Sequence, residues 1–177
     1  MVSEILEFLV CSKEKPVSCI IRKSGVLLLG IGDKITLKSL DKLEPEEGQV
    51  IFYIDSPWRI TDLEMSKVIL GSDDMRLPKS SEEFSEDFDW TLPDSNLFDE
   101  KIEIWKAANP VVHVEDIKAN LWGDISIYLS NKQILQVMVD TSNNVLCWHA
   151  YKKENVIKRL DVHGEGMYVL GNETAEH

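Results

Sequence analysis

The sequence predicts an α+β fold built mostly from antiparallel strands, with an N-terminal helix and one central helix. Short apolar runs separated by turn residues fill residues 17–72 and 110–171, which is typical of antiparallel sheet. The segment between them, residues 73–109, has a different composition and ends in a helical pattern. A length of 177 residues fits one domain, so we treat residues 1–177 as a single domain.

Helical signals occur at two places in the chain. The apolar residues of positions 2–9 recur at the i, i+3, i+4, i+7 spacing of one helix face, which predicts a short amphipathic helix. A second helix is predicted to begin after Asn96, because Asn is a favourable N-cap residue. It is predicted to end at Asn109-Pro110, since the residue before a proline disfavours the helical conformation.

Strand signals follow each of these two helices in the sequence. Runs at residues 18–22 and 26–31 surround Lys23-Ser24-Gly25, which predicts a hairpin. Further strands are predicted at residues 34–37, 49–54, 58–61 and 67–70 in the first region, and at residues 111–117, 124–129, 134–139, 145–151, 156–162 and 167–170 in the second.

The two β regions have a similar outline. In each, an apolar strand ends in Asp, a small polar turn follows, and the next strand carries a Trp. This pattern predicts a duplicated β-meander with halves 17–72 and 110–171, joined by residues 73–109. A chance match is the alternative. The matching elements are residues 50–55, Ser56 and Trp58 in the first half, and residues 135–140, Ser142 and Trp148 in the second.

The charge balance of the chain is strongly acidic. Asp and Glu number 31 against 19 Lys and Arg, which gives a formal net charge of -12. A chain with this charge repels a phosphate backbone, so nucleic acid is not an expected partner. The same charge attracts a basic protein, because complementary fields speed the encounter of two proteins. Solubility alone is the alternative explanation, and the oligomeric state stays open.

Cysteine usage and hydropathy bear on the compartment. Cys11, Cys19 and Cys147 are an odd number without paired spacing, which favours free thiols in a reducing compartment. We expect no signal peptide, since Glu4 and Glu7 interrupt the only N-terminal apolar stretch. No apolar run is long enough for a membrane span. The predicted location is therefore the cytoplasm, with no membrane as a partner.

The most unusual part of the chain is the acidic segment, residues 73–100. It carries ten acidic residues against two basic ones, and aromatic residues are interleaved with the acids. Exposed aromatic side chains supply contact area at protein interfaces, and carboxylates steer a basic partner. The alternative is that the aromatic residues only anchor a long connector. The candidate partner-binding residues are Asp87, Phe88, Asp89, Trp90 and Asp94.

Catalytic and metal-binding patterns are weak. The four histidines lack the spacings of zinc motifs, and no glycine-rich phosphate loop or serine nucleophile motif occurs, so we expect no metal and no cofactor. Cys147 and His149 are two residues apart on one predicted strand and thus on one face, which makes a Cys–His nucleophile conceivable. A structural Cys and His is the favoured interpretation. Whether the protein is an enzyme stays open, and the sequence favours that it is not.

A second candidate site involves Trp58, Arg59 and Asn96. An Arg beside a Trp can stack on the ring or donate hydrogen bonds at the rim of a pocket, here with Asp89 as a neighbouring carboxylate. The alternative is an ordinary strand pair in which Trp58 points into the core and Arg59 points out.

Five phrases stand out in order along the chain: Asp55-Ser56-Pro57-Trp58-Arg59-Ile60, Gly71-Ser72-Asp73-Asp74 with Pro78, Asp87-Phe88-Asp89-Trp90 with Pro93, Asn96-Leu97-Phe98-Asp99-Glu100-Lys101, and Gly123-Asp124 leading into the strand at Leu129-Ser130. They resemble an uncharacterised family of small acidic bacterial proteins, over most of the chain from about residue 49 to residue 148. The resemblance implies no activity, but it implies that Trp58, Arg59, Asp89, Trp90 and Asn96 belong to one shared structural feature. In size and charge such proteins are similar to immunity proteins that neutralise basic toxins.

These patterns lead to two functional hypotheses from different classes. The first is a non-enzymatic binding protein of the immunity or regulatory kind, whose acidic segment contacts a basic protein. The second is a small-molecule binder or enzyme with a pocket near Trp58, Arg59 and Asp89. A purely structural subunit is a third alternative.

Overall fold

The computed structural model describes residues 6, 9–33, 48–153 and 157–173. Most of the predicted N-terminal helix at residues 2–9 lies outside these residues, and that helix is not confirmed. The short strand predicted at residues 34–37 also lies outside them.

Antiparallel strands make up most of the described structure. They form two sheets, with the strand order β1-β2-β3-β9-β10-β11 in the first sheet and β5-β4-β8-β7-β6 in the second. The strands are β1 (Val17–Lys23), β2 (Val26–Ile31), β3 (Val50–Ile54), β4 (Trp58–Asp62), β5 (Val68–Gly71), β6 (Val114–Ala119), β7 (Ile125–Leu129), β8 (Gln133–Val137), β9 (Leu146–Lys153), β10 (Ile157–His163) and β11 (Gly166–Glu173). A 3-10 helix (Ser72–Arg76) and the helix α1 (Leu97–Ala108) lie between β5 and β6.

One hydrophobic core lies between the two sheets. Alternate residues of the strands point into it, as Ile125, Ile127 and Leu129 of β7 do, because successive side chains of a strand face opposite sides. The same buried cluster takes in residues of both sheets and of α1, so the sheets form a sandwich. None of the described helices is long and apolar enough to cross a membrane.

The helix α1 begins where the sequence predicts it. Asn96 caps it by accepting a hydrogen bond from the Asp99 N–H at 3.0 Å, which satisfies one of the unpaired amides of the first turn. Phe98, Ile102 and Trp105 form its buried stripe. The Phe98 ring meets the Trp58 ring edge to face at 5.8 Å, which fixes α1 against β4.

The two halves of the chain exchange strands between the sheets. In the first half, β1 to β3 form a meander in the first sheet and the chain then crosses to β4 and β5 in the second sheet. In the second half, β6 to β8 form a meander in the second sheet and the chain crosses to β9 and β10 in the first. Each sheet therefore contains strands from both halves. The last strand, β11, has no counterpart among the described strands of the first half.

The residue pairing of the strands follows the same correspondence. Trp58, the first residue of β4, lies opposite Val137, the last residue of β8. Trp148 of β9 lies opposite Ile54, the last residue of β3. The bulges in β1 and β6 also fall at corresponding places. The two halves thus have one topology and one register, while an origin by duplication stays a prediction.

The crossovers and three of the hairpin turns gather at one end of the sandwich. Leu27 pairs with Ile54, Ile125 pairs with Val137, and both crossovers leave the sheets just beyond these pairs. We call this end the loop end. It comprises the turn Ser24–Gly25, residues 55–57, the turn at residues 120–124, residues 138–145 and the turn at residues 164–165.

Candidate functional site

The acidic segment is fastened to the body at its two ends. Pro78 and Asn96 form an isolated antiparallel bridge, and the Leu97 N–H donates to the Leu77 carbonyl at 2.8 Å. The chain between them leaves and returns at one place, which is the construction of an Ω-shaped surface loop. The segment is therefore a closed loop with a fixed base.

Asn96 is the centre of this base. Its side-chain amide donates to the Met75 carbonyl at 2.9 Å and to the Trp90 carbonyl at 3.1 Å, while its oxygen caps α1. The side chain is fully buried, and all of these hydrogen bonds are internal to the fold. Asn96 thus holds the segment in place, and its atoms are not presented to a ligand.

Arg22 of β1 provides the second attachment. Its guanidinium donates two hydrogen bonds to the Asp99 carboxylate, at 2.7 and 2.6 Å, and a third to the Leu92 carbonyl. Burial by itself raises the pKa of Asp99, but the hydrogen bonds and charge of Arg22, together with hydrogen bonds from the Asn96 and Ser95 backbone, outweigh it and hold that pKa below its ordinary value of 3.8. The ion pair joins the first sheet, α1 and the end of the acidic segment.

Three further polar contacts involve charged side chains near the base of the acidic segment. The Lys79 ammonium contacts Asp94 at 2.8 Å, and this contact raises the pKa of Lys79. Lys101 contacts Asp74 at 3.0 Å. The Glu100 carboxylate accepts hydrogen bonds from the Ser80 N–H and hydroxyl. Asp94, a predicted partner-binding residue, is therefore already engaged within the fold.

The middle of the segment is exposed and unneutralised. Within the described ranges, no ion pair or hydrogen bond involves the side chains of Glu82, Glu83, Glu86 or Asp87. Phe84 is 71% exposed, and its ring packs only edge-on against that of the half-buried Phe88 at 6.1 Å. The predicted residues Asp87 and Phe88 therefore lie on an open surface of carboxylates and aromatic rings.

Asp89 and Trp90, the other two predicted partner-binding residues, turn the segment back towards the body. The Asp89 carboxylate accepts hydrogen bonds from the Thr91 hydroxyl and N–H, which lower its pKa. The Trp90 ring lies over the turn at Gly25, 3.4 Å from the point where a Cβ would be. Trp90 is half-buried and works as an anchor of the segment.

The predicted pocket residues Trp58, Arg59 and Asn96 do not converge. Trp58 is buried in the core, whereas Arg59 is exposed on the outer face of the second sheet and donates to Gln136 at 2.9 Å. This is the expected alternation of side chains along a strand. Asn96 is buried at the base of the acidic segment.

Two clefts flank the acidic segment. The larger, of about 680 Å³, lies between β1 and α1, with Ile20, Phe98 and Ile102 among its lining residues. The smaller, of about 310 Å³, lies at the loop end beside Trp58 and Trp90. Its polar lining includes Asp55, Asp73, Arg76 and Asp140. Polar groups thus surround the smaller cleft, although Arg59 and Asp89 are not among them.

The outer face of the first sheet carries a cluster that the sequence did not reveal. The His149 imidazole stacks on the Tyr53 ring at 4.8 Å, and Tyr151 meets both rings edge-on. Burial, with the nearby Arg159 charge, lowers the pKa of His149 below 6.5, and Asp161 opposes this effect. His149 is therefore neutral at pH 7. The residues of this cluster lie on three neighbouring strands, β3, β9 and β10, that are not all adjacent in the sequence. No local pattern in the sequence therefore indicates the cluster.

Cys147 is unsuited to the nucleophilic role considered for it with His149. It is buried, and burial together with the charges of Asp140 and Asp55 raises the pKa of its thiol. Its Sγ contacts the Val145 carbonyl at 3.6 Å. Among the described residues, no group of three or more His, Cys, Asp or Glu side chains is placed to hold a metal ion.

Comparisons with known proteins add no relative. No protein-family model, curated protein or solved structure matches the chain. The resemblance to small acidic bacterial proteins therefore stays a prediction.

Proposed function

We propose that the protein is a non-enzymatic binding module, of the immunity or regulatory kind, that uses the exposed middle of its acidic segment to bind a basic protein. One observation carries the proposal: Phe84 projects into solvent among the exposed carboxylates of Glu82, Glu83, Glu86 and Asp87, none of which forms an ion pair or hydrogen bond within the described part of the chain. Aromatic side chains are enriched among the residues that dominate binding energy at interfaces, and carboxylates without an ion pair attract a basic partner.

The distribution of the cations supports the proposal. Arg22, Lys79 and Lys101 all make their contacts at the base of the segment. Residues 80–90 carry five acidic residues and no basic one. A basic partner would supply the missing charge, and a net charge of -12 on the whole chain would steer it.

The experiment compares two variants of equal charge. One neutralises Glu82, Glu83, Glu86 and Asp87, and the control neutralises the exposed residues Glu14, Asp33, Glu64 and Glu115. Neutralising four carboxylates changes the formal net charge from -12 to -8 in each variant. Proteins from native cell extract are captured on the wild-type protein at low salt, identified by mass spectrometry and purified, and their Kd values are measured by calorimetry.

We expect a basic partner whose affinity falls about tenfold or more in the segment variant and changes little in the control. Its log Kd should also depend less steeply on salt concentration in the segment variant than in the wild-type protein. Equal losses in the two variants would show that net charge alone attracts the partner, and the proposal would then be wrong.

A small-ligand site is the second candidate, and one observation favours it. The 310 Å³ cleft at the loop end combines the Trp90 ring with three carboxylates, Asp55, Asp73 and Asp140. Carboxylates beside an indole ring are suited to an organic cation. Titration with arginine amide, followed by calorimetry, distinguishes this candidate, since saturable binding that Asp140→Asn removes is expected only of a ligand site.

A further inference from the structure

The turn between β6 and β7 is held rigidly. The Asn120 side-chain oxygen accepts hydrogen bonds from the Trp122 N–H at 2.9 Å and the Asp124 N–H at 3.0 Å, and its amide donates to the Asp124 carboxylate at 2.9 Å. Asp124 in turn accepts from the Val139 N–H at 2.7 Å. The buried Trp148 donates its ring N–H to the Gly123 carbonyl at 2.9 Å. These bonds tie the turn to the core and to the neighbouring crossover.

This rigid turn presents two large apolar side chains to solvent. Leu121 is 77% exposed and Trp122 is 76% exposed. The hydrogen bonds of the turn hold the backbone that carries them, so little conformational entropy is lost when they are covered. Trp is the side chain most enriched among residues that dominate binding energy at protein interfaces.

The corresponding turn of the first half is covered by the chain itself. The turn Ser24–Gly25 lies under the Trp90 ring, which the acidic segment brings across the loop end. The acidic segment follows β5 in the first half. In the second half, β10 corresponds to β5, and β10 is followed directly by β11. At the second turn, the side chains of Val162, Val139 and Met167 lie beside Gly123, whereas Leu121 and Trp122 stay exposed. Within the described residues, Leu121 and Trp122 thus lack the cover that Trp90 gives the first turn.

The charges of the loop end as a whole indicate which partner would fit Leu121 and Trp122. The loop end carries the exposed carboxylates Asp55, Asp73, Asp140 and Glu165 against the exposed cations Lys23 and Arg76. Arg76 is the cation of the smaller cleft, and it faces Asp73 at 3.8 Å. A surface with this charge repels anionic lipids and a second copy of the chain. It complements a basic protein that offers an apolar pocket.

We propose that Leu121 and Trp122 are a second anchor for the basic protein that the acidic segment binds, with Trp122 inserted in an apolar pocket of that protein. The inference rests on the proposed function and adds a contact of a different physical kind. The carboxylates of the acidic segment set the salt dependence of binding, whereas the apolar anchor sets affinity without changing that dependence.

The test uses the full chain with a photo-crosslinking amino acid placed at position 84 or at position 122. Irradiation in native extract and mass spectrometry identify the protein attached at each position. The partner is then purified, and its Kd is measured against salt for the wild-type protein, Trp122→Ala and the control Val111→Ala. Val111 is 68% exposed and lies near the opposite end of the sandwich. Thermal unfolding verifies that the variants stay folded.

We expect both positions to attach the same basic protein, and Trp122→Ala to weaken its binding by about tenfold or more with an unchanged salt slope. Val111→Ala should bind as the wild-type protein does. Attachment from position 84 with none from position 122, or an unchanged Kd in Trp122→Ala, overturns the second anchor and leaves the proposed function intact. A partner attached at neither position contradicts both.

Two other occupants of the turn are tested with the same variant. Self-association in sedimentation experiments that Trp122→Ala abolishes would assign the turn to a second copy of the chain. Co-sedimentation of the wild-type protein, but not of Trp122→Ala, with phosphatidylcholine vesicles would assign it to a lipid surface. Either result overturns the assignment to a protein partner.

Discussion

Two hairpin turns of the loop end, one from each half, occupy equivalent places, yet one is covered and the other is exposed. The first, at Ser24–Gly25, lies under the Trp90 ring. The second, at residues 120–124, is held from below by the Trp148 ring N–H and leaves Leu121 and Trp122 in solvent. Both turns join strands whose register against their neighbours is the same. Core packing fixes the strands in both halves, whereas the turns are free to differ and carry the individual properties of each half.

Substitution of Trp58 or Trp148, which lie in the strands that follow the two crossovers, is expected to have the largest effect on stability. Trp148 is fully buried and bonds the Gly123 carbonyl, so we expect Trp148→Ala to lower the free energy of unfolding by about 4 kcal/mol. Trp58→Ala should lower it by a similar amount, since Trp58 is 2% exposed and packs on Phe98. Urea unfolding measures both values. A loss below about 1 kcal/mol for only one of them would break the equivalence of the halves.

The glycines of the two turns give a smaller effect with a clear contrast. Gly123 has a φ of +93°, and a Cβ there would lie 2.5 Å from a Val162 methyl carbon. We expect Gly123→Ala to destabilise the protein by about 2 kcal/mol or more. A Cβ at Gly25 would meet the Trp90 ring at 3.4 Å, so Gly25→Ala should change stability by less than about 1 kcal/mol. Differential scanning calorimetry compares the two, and equal Tm shifts would contradict the contrast.

The outer faces of the two sheets give the smallest effect, which depends on pH. His149 of β9 corresponds in register to Arg59 of β4. Because burial lowers the pKa of His149 in the folded protein, its contribution to stability is complete above pH 6.5 and is lost as the pH falls through the folded pKa. We expect His149→Gln to lessen the decline of the unfolding free energy between pH 7 and pH 5. Arg59→Gln should leave the wild-type pH profile, and urea unfolding at several pH values measures both.

Local patterns predicted the elements of the fold well. The strand predicted at residues 26–31 has the bounds of β2, and Asn96 caps α1 as expected. Buried and half-buried side chains alternate along β7, as expected of a strand with one face in the core. These features depend on propensity and on neighbours a few residues apart, which a sequence states directly.

Local sequence patterns could not predict the exchange of strands between the two sheets. The sequence indicated two similar halves, but nothing local states that β4 pairs with β8 or that β9 pairs with β3. Such pairings depend on the complementarity of whole faces in three dimensions. The similar outline of the halves was the only signal, and it left open how they join.

The candidate site was predicted in part. The acidic segment is exposed as its composition indicates, but composition alone does not distinguish Asp89 and Asp94, which are hydrogen-bonded or ion-paired, from the carboxylates that are not. The contact that fixes the segment joins Arg22 to Asp99, 77 residues away. Trp122 was missed, although the polar residues Asn120 and Asp124 around a glycine are a turn signal and a turn places its residues at the surface.

The exchange of strands has a consequence for how the molecule comes apart. Since β4 and β5 complete a sheet begun by the second half, and β9 and β10 complete one begun by the first, neither half alone holds an intact sheet. A protease that cuts at the exposed residues near Phe84 would sever the chain without separating the pieces. The two fragments would be complementary subunits, each folding only on the other. The acidic segment is therefore also a place where the chain can be divided into two fragments that reassemble into the folded protein.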